Sequence, residues 1–139
     1  MKQDKNEEIK EGWGVNLHDL KLIHLGKLPG INEMVRANRI NRYVGAKQKK
    51  ELTEQLAWEF KTQSAGTQFK NHVTVRIECY EGNLRRDDDN VIGGACKIVL
   101  DALQKAGIIK NDSPKYCHVV PERFNDADGN YYVKVFIDA

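Results

Sequence analysis

Apolar and polar side chains alternate most strictly over residues 72–80, where Val73, Val75, Ile77 and Cys79 interleave with Thr74, Arg76, Glu78 and Tyr80. A period of two sends successive side chains to opposite faces, so this run predicts a strand with one buried face. Residues 20–26 (LKLIHLG) form a shorter apolar run closed by Lys27, Leu28, Pro29 and Gly30, which is turn chemistry, and they predict a first strand. Residues 116–124 and 131–138 are also strand-like. The segment between them, 125–130, is rich in residues that tolerate positive φ, which predicts a terminal hairpin.

Two stretches carry the helical period instead. Residues 45–63 are strong helix formers in which Leu52, Leu56, Glu59 and Phe60 recur at spacings of three and four, with Ala57 and Trp58 beside them. Over residues 90–106 a wide apolar stripe runs through Val91, Ala95, Ile98 and Ala102 and through Ile92, Val99, Leu103 and Ala106, with Gly107 placed to end the helix. Residues 31–43 have no clean period of either kind and predict a loop with at most a helical turn. Residues 1–12 are polar and predict a flexible N-terminus, leaving 13–139 as a single domain. The expected fold class is α+β, a small mixed β-sheet with two main helices packed on it.

At 139 residues one core is expected. Hydrophobic residues at 40% and charged residues at 30% exclude a disordered or fibrous chain. No apolar stretch approaches the roughly 18 to 20 residues of a membrane span, and the mixed-charge start offers no apolar segment to act as a secretion signal. A cytoplasmic protein without a membrane partner is expected. Cys79, Cys96 and Cys117 are odd in number and include no CxxC pair, so they are expected to be reduced packing residues. The net charge of +2 is too small to indicate a nucleic-acid partner by itself.

The distribution of charge says more. Arg85-Arg86-Asp87-Asp88-Asp89-Asn90 lies between a strand and a helix. In an extended segment positions 87 and 89 point to one side, and two such carboxylates suit magnesium, which takes one or two carboxylates with water and substrate phosphate. Helix capping is the alternative use of these aspartates. An EF-hand is excluded, because counting from Asp87 the glycine position holds Ile92 and the final glutamate position holds Ile98. Asn90, Gly94, Lys97 and Asp101 share a helix face expected to lie opposite the apolar stripe, where Lys97 either reaches a phosphate near the helix start or pairs with Asp101. Arg36, Arg39, Arg42, Lys47, Lys49 and Lys50 fall between positions 35 and 50 with no acidic residue among them. Such clustering is what phosphate binding requires. Arg85 and Arg86 join this expected DNA-binding set.

Asp87-x-Asp89-Asn90, Lys97-x-x-x-Asp101-Ala102-Leu103, and Gly107 followed by Asn111-Asp112, in that order, resemble the signature of the RusA-type Holliday junction resolvases. Residues 26–33, with Asn38-Arg39, Asn41-Arg42-Tyr43 and Gly45-Ala46-Lys47, are similar to phage-encoded members, which suggests a phage or prophage setting in a bacterial cell. The resemblance spans roughly residues 20–120. It implies a homodimeric, magnesium-dependent endodeoxyribonuclease that resolves four-way DNA junctions by paired symmetric nicks, in DNA recombination and repair. Manganese would serve as a substitute ion, and no small-molecule cofactor is implied. It further implies that Asp87, Asp89 and Asp112 hold the metal and that Lys97 is the essential lysine. Six residues separate Lys97 from Asn90, where the best-known form of the family has two. Asn111 stands where that form has a further Asp. A non-catalytic DNA-binding protein, or a nuclease for other branched DNA, is the competing expectation.

Overall fold

The computed structural model describes residues 18–139; the flexible N-terminus expected over residues 1–12, and the domain boundary at 13, lie outside the described residues. Strand β1 (Leu20–Leu25), helices α1 (Ile31–Ile40) and α2 (Arg42–Ser64), strand β2 (Val73–Glu81), helix α3 (Asp88–Lys105), and strands β3 (Cys117–Asn125) and β4 (Tyr132–Asp138) follow in chain order. Among the described residues the strands make one four-stranded mixed sheet in the order β1-β4-β2-β3, and with three helices they form an α+β domain. Among the described residues no helix is long and apolar enough to cross a membrane.

Alternation decides which face is buried. Val73, Val75, Ile77 and Cys79 of β2, Val133, Val135 and Ile137 of β4, and Leu22 of β1 meet Leu56 and Phe60 of α2 and Ile98, Val99, Ala102 and Leu103 of α3 in one core. On the opposite face Tyr132, Tyr80 and Phe124 stack side by side across three strands, with ring centroids 4.4 and 5.1 Å apart. Such cross-strand pairs help fix the register. All three cysteines are free thiols, and burial pushes Cys79 up to about 12 and Cys96 up to about 11.

The expected terminal hairpin does not form. β3 pairs with β2 in parallel, β4 pairs with β2 and β1 in antiparallel fashion, and β2 therefore lies between the two last strands. Pro121 supplies the reason. Proline has no N–H to give to a ladder and is confined to edge strands, so β3 takes the edge and β4 cannot add to its outer side. The segment after β3 instead crosses the end of β2, where the Asp126 N–H donates to the Glu81 carbonyl at 2.8 Å.

Helix α1 replaces the loop expected over 31–43. The Glu33 carboxylate accepts from the Gly30 N–H and closes the first turn. Asn41 ends one helix and starts the next: its N–H donates to the Ala37 carbonyl at 3.0 Å, and its Oδ1 accepts from the N–H groups of Tyr43 and Val44 at 3.1 Å. An extended backbone at Asn41, φ −157° and ψ 108°, makes two helices of what would otherwise be one.

The turn before α1 packs on the middle of α3, and two adjacent glycines make opposite use of that contact. A Cβ on Gly94 would run into the Pro29 carbonyl oxygen and lie 2.7 Å from the Gly30 Cα, whereas one on Gly93 would sit 3.4 Å from Ile31 in ordinary contact. Gly93→Ala should therefore keep the helix-propensity gain of about 1 kcal/mol. Gly94→Ala should lose that gain and a further 1–3 kcal/mol to overpacking against backbone. Urea denaturation of both variants checks this, and equal effects would refute the close approach.

Candidate metal and nucleic-acid site

β2 ends at Glu81, the chain bends through residues 82–87, and α3 begins at Asp88. Asp87 is the N-cap, with φ −75° and ψ 165°, and its Oδ1 accepts from the Asn90 N–H at 2.9 Å. Positions 87 and 89 thus do not share one extended run: only Asp87 is extended, and Asp89 is already the second residue of the helix. Capping and candidate ligation coincide at Asp87, which commits one oxygen to the cap. The positive end of the helix dipole favours all three carboxylates here.

The three aspartates have different fates. Arg123 of β3 is almost buried and donates from Nη1 to the Asp88 Oδ1 at 2.9 Å. It also donates to the carbonyls of Arg86 at 2.8 Å and Asn83 at 2.9 Å, tying down the 82–87 bend. Asp89 is exposed and has no hydrogen-bond or ion-pair partner among the described residues, and neither has the second oxygen of Asp87. Arg123 was not among the residues singled out from the sequence. Its signal was a charge at a position that register with Cys79 turns toward the core side of the sheet.

Arg86 does not belong to the DNA-binding surface expected of it. Its side chain is only 10% exposed and makes a two-pronged bond to Glu81, with Nε at 2.9 Å from Oε1 and Nη2 at 2.8 Å from Oε2. Nη1 donates to the Leu28 carbonyl at 3.0 Å and to Glu33 at 3.2 Å. Burial opposes its charge, but the bonds and charges of Glu81 and Glu33 outweigh burial and hold its pKa above the ordinary value. Burial likewise opposes the charge of Glu33, but the Gly30 N–H and Arg86 overcome it and keep the carboxyl below the ordinary value.

The face of α3 expected to lie opposite the apolar stripe is partly covered. Asn90 is buried and its Oδ1 accepts from the Asn32 N–H at 2.8 Å, Gly94 lies against the 29–30 turn, and Asp101 pairs with Lys49 at 3.2 Å rather than with Lys97. Lys97 is exposed, has no carboxylate within ion-pair distance among the described residues, and lines a cleft between α1, α2 and α3. Arg36 and Arg39 of α1, Arg42, Lys47 and Lys50 of α2, and Arg85 are exposed, whereas Lys49 is half-buried in its pair.

Asp112 is the residue that fails to join. Cys117 stands beside Val73 at the start of β2, and Asp112, near enough to Cys117 to add to the burial that raises its thiol pKa, lies at that end of the sheet. Asp87 lies at the other end, and the 18 residues of α3 that separate them rise roughly 27 Å at 1.5 Å each. Among the described residues no three His, Cys, Asp or Glu side chains gather closely enough to hold an ion together. Within one chain the expected triad is therefore corrected to a pair. Asp87 and Asp89 offer hard carboxylate oxygens, which fits the one or two protein ligands magnesium usually takes.

No protein-family model matches this chain, and no curated protein is significantly similar to it in sequence.

Proposed function

We propose that the chain is a magnesium-dependent, structure-selective endodeoxyribonuclease that resolves four-way DNA junctions by paired nicks in DNA recombination and repair, acting as a homodimer in the bacterial cytoplasm. One observation carries this more than any other. Of three consecutive aspartates, the middle one is neutralised by Arg123, while Asp89 and one oxygen of Asp87, the two acidic positions of the DxDN motif, have no protein partner among the described residues. A run of acids that served only to cap α3 would need no such selective treatment.

Asp87 and Asp89 would hold the metal, with manganese as a substitute. When bound, the ion supplies an activated water and positive charge for the phosphate. Lys97, two turns along α3 from Asp89 and roughly 12 Å away along the axis, would meet the phosphate of a bound strand rather than the carboxylates. Its role is electrostatic, because a protonated amine is a poor base at neutral pH. Arg36, Arg39, Arg42, Lys47, Lys50 and Arg85 would hold the DNA backbone and make affinity fall steeply with salt. Asp112 enters the site only from a second subunit, since the length of α3 separates it from Asp87 in its own chain.

The decisive test is incubation of the purified protein with a labelled synthetic four-way junction. Symmetric nicks that require magnesium and disappear with chelator are expected, while linear duplex of the same sequence stays intact. Preferential cutting of a flapped substrate would move the activity to other branched DNA. Binding without cleavage under any divalent ion would overturn the enzymatic proposal in favour of a non-catalytic DNA-binding protein.

A further inference from the structure

The seam between α1 and α2 is left unfilled. Helix α1 has a pronounced apolar side, yet none of its ten residues is buried. Ile31, Met34 and Val35 of α1 face Leu52 of α2 across a cleft of about 410 Å³, within the size range of small-molecule sites. Asn38 and Gln48 add amide donors and acceptors to its walls, and Lys97 adds a cation. Among the described residues Glu33 is the one acid on the lining, and Arg86 compensates its charge. The net bias is toward an aromatic or apolar body carrying an anionic group.

We propose that this cleft binds a single unstacked nucleotide, with its base between the apolar walls and its phosphate at Lys97. The proposal rests on the DNA-directed reading above and names which part of the substrate the cleft takes. Position supports it. The 29–32 segment, which gives Pro29 and Ile31 to the cleft lining, also packs on Gly93 and Gly94 and receives the side chain of Asn90, so the cleft and the DxDN motif share a wall. A base displaced from a branch point has no partner in the duplex and presents an apolar face together with edge donors and acceptors. Apolar walls, two amides and an uncompensated lysine are the matching chemistry, because Asn and Gln side chains carry both a donor and an acceptor. An apolar peptide side chain would use the walls but leave Lys97 and the amides unexplained.

The test uses the whole chain, isotope-labelled for NMR, with deoxyadenosine 5′-monophosphate as probe and 2-deoxyribose 5-phosphate as its base-free counterpart. The nucleotide should shift the amides of α1, of residues 45–52 and of Lys97, and the base-free sugar phosphate should shift them far less. Ala46→Phe places a ring at an exposed lining position without touching the core, and it should abolish the nucleotide shifts. Lys97→Gln should weaken them. On a four-way junction Ala46→Phe should lower affinity by about tenfold or more, the scale of losing one base contact, with metal titration at the aspartates unchanged. Equal shifts from both probes, no shift from either, or wild-type nucleotide binding by Ala46→Phe would overturn the proposal. A wild-type chain that takes up nucleotide in the cleft but cuts no DNA would uphold this site and remove the nuclease reading.

Discussion

Asp89→Asn and Asp112→Asn should each be inactive alone on a four-way junction, and an equal mixture of the two should regain cleavage. Each substitution removes a proposed charged ligand, and the loss should be on the order of a hundredfold or more, as for other groups that stabilise charge in the transition state. Recovery follows from topology. Asp112 lies near the start of β2 and Asp89 near its end, with the whole of α3 between them, so in the proposed dimer the two residues would meet only across the subunit boundary. In a two-fold dimer of one subunit of each kind, one site has both substitutions and the other has neither. Random exchange then leaves about one site in four intact. If Asp112 acted in its own chain, every site in the mixture would carry one defect and nothing would return. The measurement is cleavage rate after subunit exchange, with exchange itself verified by native mass spectrometry. Mixed dimers as inactive as either parent would remove Asp112 from the metal site. The mixture also separates dimerisation from catalysis, because a variant that fails to associate gives no mixed species at all.

How much of this was legible in the residues depends on whether a local rule or a long-range pairing decided the outcome. Period-two alternation placed β2 and β4 within a residue or so of their observed bounds, and the apolar stripe with Gly107 placed α3. α1 was hidden because its boundary is a single residue, Asn41, whose side chain caps α2 while its own backbone leaves α1. Arg36, Arg39, Asn32 and Asn38 also diluted its apolar side. Sheet order departs from expectation because adjacency in the chain argues for a hairpin, whereas Pro121 suits β3 to an edge. The candidate site divides in the same way. Asp87, Asp89 and Lys97 stand out by spacing, but the alternation that pairs 87 with 89 needs an extended run, and the helix begins at Asp88, inside that run. Arg86 looked like a phosphate ligand because sequence shows charge without showing burial. Its partner Glu81 closes a strand five residues earlier, on the inward side of the alternation. Arg123 could be found only through register, which no local pattern specifies.

That buried pair carries the largest stability effect expected of any single change here. Arg86→Met keeps an unbranched chain of similar length but leaves the Glu81 carboxylate, 4% exposed, without the guanidinium that meets both of its oxygens. Removing one partner of a buried pair costs about 3–5 kcal/mol, because the charge that remains has neither water nor a counter-ion. Small domains are held by roughly 5–15 kcal/mol, so much of the margin would go, with a fall in Tm of roughly 10 °C or more. Exposed pairs such as Lys105 with Glu54, 3.7 Å apart, should by contrast yield less than about 1 kcal/mol. Arg86→Met with Glu81→Leu removes both charges together and should recover most of the loss, since a buried pair replaced by apolar groups is often neutral in stability. Recovery should stay incomplete, because the Leu28 carbonyl and Glu33 still lose the donor they share. Urea denaturation of the single and double variants decides the matter. A single variant that loses less than about 1 kcal/mol, or a double variant no more stable than the single, would show that Arg86 is not held as a buried, paired charge. The same loss would reach the candidate site, because Arg123 grips the 82–87 bend through the backbone carbonyl of Arg86. Any loosening of that bend would strain the Arg123–Asp88 bond as well. Asp88, no longer neutralised, would then add a third negative charge beside Asp87 and Asp89, which would disfavour DNA approach before any metal is bound.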